Sequence, residues 1–172
     1  RMEQEGADVI DIGGESTRPG AAPVPLDEEL ARVVPVVRGL AGRLRIPMSV
    51  DTYKAGVARQ ALAEGAAMVN DVSGLLYDPA LAGAAAGADA ALVLMHMRGR
   101  PASMYDQAGY ANVLEEVRQE LDAAVGRATD AGVPRGRLIL DPGIGFAKRA
   151  DDSYGVLAGL AALAPLDRPL LV

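Results

Sequence analysis

The chain reads as α/β, an incomplete (β/α)8 TIM barrel of about six β/α units, and three observations carry that expectation. Short apolar runs rich in β-formers alternate with longer stretches of helical periodicity, with no long linker between them. Several runs, such as ALVLM and LIL, are apolar almost throughout, as in parallel strands covered on both faces. Polar residues recur after successive runs, at Glu15–Arg18, Asp51–Thr52, Asn70–Asp71, His96–Arg98 and Asp141–Pro142. An open doubly wound sheet gathers such residues at one switch point, whereas a barrel builds its site from many strand ends. A whole barrel takes roughly 250 residues, so the 172 residues are read as one partial barrel domain, 1–172, without its first and last strands.

The expected strands are Ala7–Ile12, Ile46–Val50, Ala67–Asn70, Ala91–Met95, Leu138–Asp141 and Pro169–Val172. Between them, Asp27–Arg38 carries Leu30, Val33, Val34 and Val37 at helical spacing, with acids in the first turn where the helix dipole favours them. Pro35 is expected to kink this helix or move its boundary. Tyr53–Gly65, Pro79–Ala86, Tyr110–Ala131 and Ser153–Leu163 are the other helices. The chain opens on Arg1 and closes on RPLLV, which reads as a strand cut short, and both ends fit a piece of a larger domain. Two unpaired parallel edges would leave such a piece inactive and prone to pair with other chains.

Composition narrows the function classes. Half of the residues are apolar, enough for a sizeable core. A net charge of −6 and 3% aromatics argue against a nucleic-acid partner, an anionic membrane surface or a base-stacking platform. The most apolar window, Ala80–Met97, is interrupted by Gly83, Gly87 and Asp89 and divides into a helix and a strand rather than a membrane span. There is no cysteine, which excludes disulfides and thiolate metal sites and is compatible with the cytoplasm. With one histidine, His96, no His-based metal triad or Ser–His–Asp arrangement can be built without it. His96 is read as a packed or supporting residue ahead of a catalytic one.

Two nucleotide-binding fingerprints fail. GIGFAK at 143–148 has Lys148 where the third glycine of G-x-G-x-x-G belongs, and no P-loop occurs. Gly143 and Gly145 therefore serve a tight turn or a close ligand contact. Asp51 and Asp141 each end an apolar strand, where an unpartnered carboxylate costs several kcal/mol. A helix N-terminus or a lysine would satisfy a single such residue. Two of them together with Asn70 at equivalent strand ends fit a flat, nitrogen-rich heterocycle whose adjacent N–H groups match a carboxylate fork. Gly13–Gly14, Thr17 and Arg18 suit an anion or form a solvated loop, Asp71 is better placed to cap a turn than to bind a metal, and Glu15 stays open.

Taken together, DIGGESTRPGA, SVDT, VNDVSG, LMHMRG with a following YANVLEEV, and LDPGIGFAK resemble the dihydropteroate synthases, a pterin-binding TIM-barrel family. The set runs over nearly the whole chain in family order, and its first and last members are the most specific. The resemblance implies a condensation of (7,8-dihydropterin-6-yl)methyl diphosphate with 4-aminobenzoate in folate biosynthesis. It implies that Asp51, Asn70 and Asp141 hold the pterin, that Thr17 meets the diphosphate, and that Arg18 and Pro19, with Phe146 nearby, form the aminobenzoate loop. It further implies Mg2+ whose asparagine ligand lies outside this chain, a homodimer at full length, and a sulfonamide target. A methyltetrahydrofolate:corrinoid methyltransferase and a non-catalytic pterin-binding barrel are the other readings. The family's lysine-bearing and arginine–histidine motifs are not among these residues, and Lys148, in GFAK, does not take that lysine's role. RADDSYGVL departs from the family pattern after Lys148 and puts the local loop geometry in question. Arg18 and Arg98 are the cations expected to focus anionic substrates onto this acidic chain.

Overall fold

In the computed structural model, which describes residues 1–172, five strands follow one another in a single parallel sheet. They are β1 (Ile10–Gly13), β2 (Met48–Asp51), β3 (Met68–Asp71), β4 (Ala91–Met95) and β5 (Leu138–Asp141). Each pairs with the next, in the order β1-β2-β3-β4-β5 without reversal. A doubly wound sheet reverses its order at a switch point; here the chain progresses in one direction, as around a barrel wall. The helices between the strands are α1 (Leu26–Leu40), α2 (Ala55–Ala63), α3 (Ala80–Gly87), α4 (Val113–Asp130) and α5 (Ala150–Ala158). No helix is long and apolar enough to cross a membrane.

Register and pleat sort the strand residues onto two faces. Gly13 lies beside Asp51, Asp51 beside Asn70, Asn70 beside Val93, Val93 beside Ile139, and Met95 beside Asp141. These residues share one face. The alternate residues, including Ile12, Val50, Val69, Leu92, Leu94, Leu138 and Leu140, join one core with Val33 and Val37 of α1, Val57 and Ala61 of α2, Leu81 of α3 and Leu121 of α4. With Val156 of α5 in the same core, all five helices cover one face, as right-handed crossovers require in a barrel. The other face is the one that carries the polar strand-end residues.

The differences from expectation have local causes. Strands β1, β2 and β3 begin one to three residues later and end one later than expected, so Asp51 and Asp71 are the last paired residues of their strands. Ladder bonds on both sides of β2 and β3 carry the backbone through these polar positions. The sixth run, Pro169–Val172, is not a strand here; it forms one parallel bridge, Leu140 to Leu170, in which Leu140 N–H donates to Pro169 O and Leu171 N–H to Leu140 O, each 2.9 Å. Only β5 pairs with it, so one bridge is all that forms. Helix α1 continues through Pro35 instead of breaking. Pro35 and Ala31, whose carbonyl loses its helical donor, are both exposed, so water satisfies the lost bond. After α5, the expected helix tail tightens into a 3₁₀ segment, Leu160–Leu166, that holds Pro165.

Candidate functional site

Strand ends deliver Asp51, Asn70 and Asp141 to the face opposite the helices. Asp51 and Asn70 are register neighbours on β2 and β3, and Asp141 stands two strands further on, beside Met95. Of the three, Asn70 lines a cavity of about 330 Å³, with Asp11, Ser49, Met68, Val93, Ile139 and the 169–171 segment, while Asp51 and Asp141 stand outside its lining. Asn70 Nδ2 donates to Asp11 Oδ2 at 3.0 Å, which leaves the amide oxygen free. That oxygen and Ser49 Oγ are buried without any hydrogen-bond partner. An unsatisfied buried acceptor costs about 1–3 kcal/mol, and N–H donors of a bound ring would remove that cost. A larger concavity of about 720 Å³, around Leu160–Ala164 and Asp167–Leu170, holds none of the strand-end residues and is not the site.

The carboxylates are tuned differently. Burial, with the nearby charges of Asp11, Glu29, Asp71 and Glu15, pushes Asp51 up to about 7. Burial also raises Asp141, while the Gly143 N–H, donating to its Oδ1 at 2.7 Å, and the charge of Lys148 act against that rise. Asp71 points to the helix side, fully buried, and accepts from Ser73 N (2.8 Å), Ser73 Oγ (2.7 Å) and Leu75 N (2.6 Å). It caps the β3 exit turn, as its sequence position favoured.

Three loops form the rim. The loop after β1 carries Thr17, half-buried, and Arg18 and Pro19, both exposed. Gly20 N–H of this loop donates to Pro101 O at 3.2 Å, joining it to the loop after β4. Tyr105 and Tyr110 then donate to the Gly145 and Ala147 carbonyls, at 3.2 and 2.9 Å, joining that loop to the one after β5. Phe146 packs, with Tyr53 and Tyr77, against a small cluster of Val72, Met95, Met97, Met104 and Ala147. The Arg100 guanidinium lies 4.2 Å over the Tyr77 ring and is bound to no carboxylate. Of the two arginines of this loop, Arg98 and Arg100, it is the one without an ion-pair partner. Arg98 is instead consumed: it pairs with Glu116 and Glu120, donates to Gly109 O at 2.9 Å and stacks on Tyr110.

Two buried polar networks support the rim. Lys54 bridges Glu15 and Glu29, while Tyr53 donates to Glu15 at 2.6 Å and Thr52 to Glu29 at 2.7 Å. Glu15 also accepts from Val24 N at 3.0 Å, so it pins both ends of the loop that carries Thr17 and Arg18. Burial alone would raise Glu15, but Lys54 and these donors hold it below the usual carboxylate range. The second network joins Lys148, His96 and Glu120. Burial lowers His96 and pushes Lys148 down to about 7. Glu29 and Lys54 carry no motif signature, and Asp11 opens DIGGESTRPGA without a role being read for it; Glu29 is detectable only through its phase, four and eight residues before the buried Val33 and Val37.

No group of three or more His, Asp or Glu side chains here could hold a metal ion. The arrangement sets polar strand-end groups, one of them an unpartnered buried acceptor, on one face beside loops that carry cationic and aromatic side chains. The chain belongs to the pterin-binding enzymes: the family model described as "Pterin binding enzyme" matches residues 1–172. Within that class its relatives are dihydropteroate synthases. The enzyme of that name from Synechocystis is 48% identical over 171 residues, covering 99% of this chain and 59% of that protein. The Yersinia pestis dihydropteroate synthase, solved with a sulfonamide drug, superposes with a TM-score of 0.96 at 43% identity over 100% of this chain and 62% of that one. The Xanthomonas albilineans enzyme with 4-aminobenzoic acid gives 0.91 at 45%, over 99% and 60%. The chain thus spans about three-fifths of the length of these relatives.

Proposed function

We propose that this chain supplies the pterin pocket and the aminobenzoate rim of a dihydropteroate synthase. The observation that carries the reading is the shared face of Asp51, Asn70 and Asp141, with an unpartnered amide acceptor among them. In the reaction the bond between the pterin methylene carbon and its diphosphate oxygen breaks, and the electron pair leaves with the diphosphate. The positive charge left on the carbon is delocalised into the ring. Carboxylates fixed around that ring, in a site with little water, stabilise the charge as it develops. The aromatic amine of 4-aminobenzoate then forms the C–N bond and loses a proton. Thr17 and Arg18 would meet the anionic groups, Pro19 and Phe146 would wall the aminobenzoate, and Arg100 adds a second cation at the same rim. Magnesium has no side-chain donor cluster among these residues, and no step is assigned to it. Small-molecule substrates, a cytoplasmic setting and a homodimer of the full protein complete the proposal.

The test is Asp141→Asn, measured by calorimetry with (7,8-dihydropterin-6-yl)methyl diphosphate. One fork acceptor then becomes a donor facing ring N–H groups, and affinity should fall on the order of a hundredfold, given charge-assisted bonds of about 1.5–3 kcal/mol each. Unchanged affinity would remove the assignment.

A further inference from the structure

Lys148 and His96 have no part in the pocket as described, yet they meet inside the molecule. The Lys148 side chain is fully buried, and its Nζ lies 2.8 Å from His96 Nδ1, 3.0 Å from the Gly143 carbonyl oxygen and 3.2 Å from that of Phe146. An ammonium has three N–H donors and no acceptor, so three partners saturate it. The same contact sets the imidazole: Nδ1 accepts from the lysine, so Nε2 carries the proton and donates to Glu120 Oε2 at 3.0 Å. No carboxylate touches Lys148. Two of its three nearest acceptors are instead carbonyls of the turn after β5, and the His96 carbonyl oxygen lies further off at 3.5 Å.

Gly143 is the pivot of that turn. Its φ is +66°, and a Cβ there would fall 2.1 Å from the His96 carbonyl oxygen, so the turn lies tight against the end of β4. Its N–H donates to Asp141 Oδ1 at 2.7 Å, while its carbonyl accepts from Lys148. One residue therefore links the buried ammonium to a carboxylate on the pocket face. We infer that Lys148 is a positioning residue for Asp141: holding the Gly143 carbonyl, it sets the turn whose amide fixes the Asp141 carboxylate. The inference rests on Asp141 being a ring-binding residue.

A double-mutant cycle on the full protein separates this role from a general contribution to folding. Lys148→Met, Asp141→Asn and the pair are compared by calorimetric affinity for (7,8-dihydropterin-6-yl)methyl diphosphate. Residues that act through one contact are non-additive, so Lys148→Met should weaken binding about tenfold in the native background and less than about twofold when residue 141 is already Asn. Equal losses in both backgrounds, or none, overturn the inference. Amide exchange at Gly143, read by NMR without ligand, should accelerate in Lys148→Met; unchanged exchange also overturns it. Lys148→Gln keeps two donors and should give intermediate values, and it serves where the Met variant does not fold. A native protein that binds no dihydropterin overturns the ring-binding reading and this role with it, and a Gly143 exchange rate that still responds to Lys148→Met distinguishes that result from failure of the clamp.

Discussion

Two lysines are buried beneath the rim, and they are held in opposite ways. The Lys54 side chain, 17% exposed, sits between two carboxylates, Glu15 and Glu29. Burial pulls its amine down, but the carboxylates more than offset this and leave it above its ordinary value. Lys148, 2% exposed, has carbonyls and an imidazole as partners, and burial leaves it near 7. The balance of burial against countercharge decides how firmly each stays ionised. Lys54 closes an ion cluster that ties the loop after β1 to α1 and to the start of α2. Lys148 supplies directed donors at a turn and tolerates losing its charge.

The largest effect should come from breaking the charged member of the pair. Lys54→Met leaves Glu29, 1% exposed, and Glu15, 7% exposed, without a cation, and removing one partner of a buried ion pair costs about 3–5 kcal/mol. Denaturant unfolding of the full protein measures it, and a loss below 1 kcal/mol, taken as an approximate limit, would place the cluster in effectively aqueous surroundings.

Next in size is a pH profile that sharpens the contrast. Asp51, raised to about 7, adds stability that is complete below roughly pH 4 and is lost as pH rises through 7. Lys148, lowered to about 7, adds stability that is complete above roughly pH 10 and is lost as pH falls through 7. Unfolding free energy should therefore pass through a minimum near neutrality. Asp51→Asn should flatten the acidic limb and Lys148→Met the alkaline one, while Lys54, ionised throughout this range, contributes to neither. A profile that only falls with pH would contradict the Lys148 assignment, and one that only rises would contradict that of Asp51.

The smallest effect belongs at the surface end of the Lys148 network. Glu120 is 40% exposed, and Arg98 keeps Glu116 as a partner when Glu120 is changed. Glu120→Gln should cost less than about 1 kcal/mol in the same unfolding measurement. A larger loss would mean that the relay from Glu120 through His96 to Lys148 is strongly coupled.

These contrasts mark what could be read from residues alone. Strands β4 and β5 lie where ALVLM and LILD placed them, because uninterrupted apolar runs permit few alternatives. Asp51, Asn70 and Asp141 could be grouped because strand ends repeat at equivalent positions of the wall. The Pro169–Val172 run could not be told from a strand, since pairing depends on a neighbour and not on composition. Arg98 was misjudged for a similar reason: its partners Glu116 and Glu120 lie on α4, one turn apart and facing it, in a helix whose surface holds other acids. Glu29 gives no distinct signal because acids in a first turn have a sufficient explanation in the helix dipole, and Lys54 gives none because its partners lie on other segments. Ion pairs between distant segments leave no local pattern.

The tight seat of Gly143 also bears on how this pocket can change over generations. Any side chain at that position collides with the His96 backbone, and a Cβ at Gly14 would fall within 3 Å of Val33 and Glu29. Gly109, further out on the rim, meets nothing within 4 Å, whereas Gly20 and Gly145, equally uncrowded, hold φ of +79° and +81° that a side chain would strain. Heritable change around this face is therefore channelled into exposed loop positions such as Gly109, where a new side chain leaves the turn at Gly143 intact.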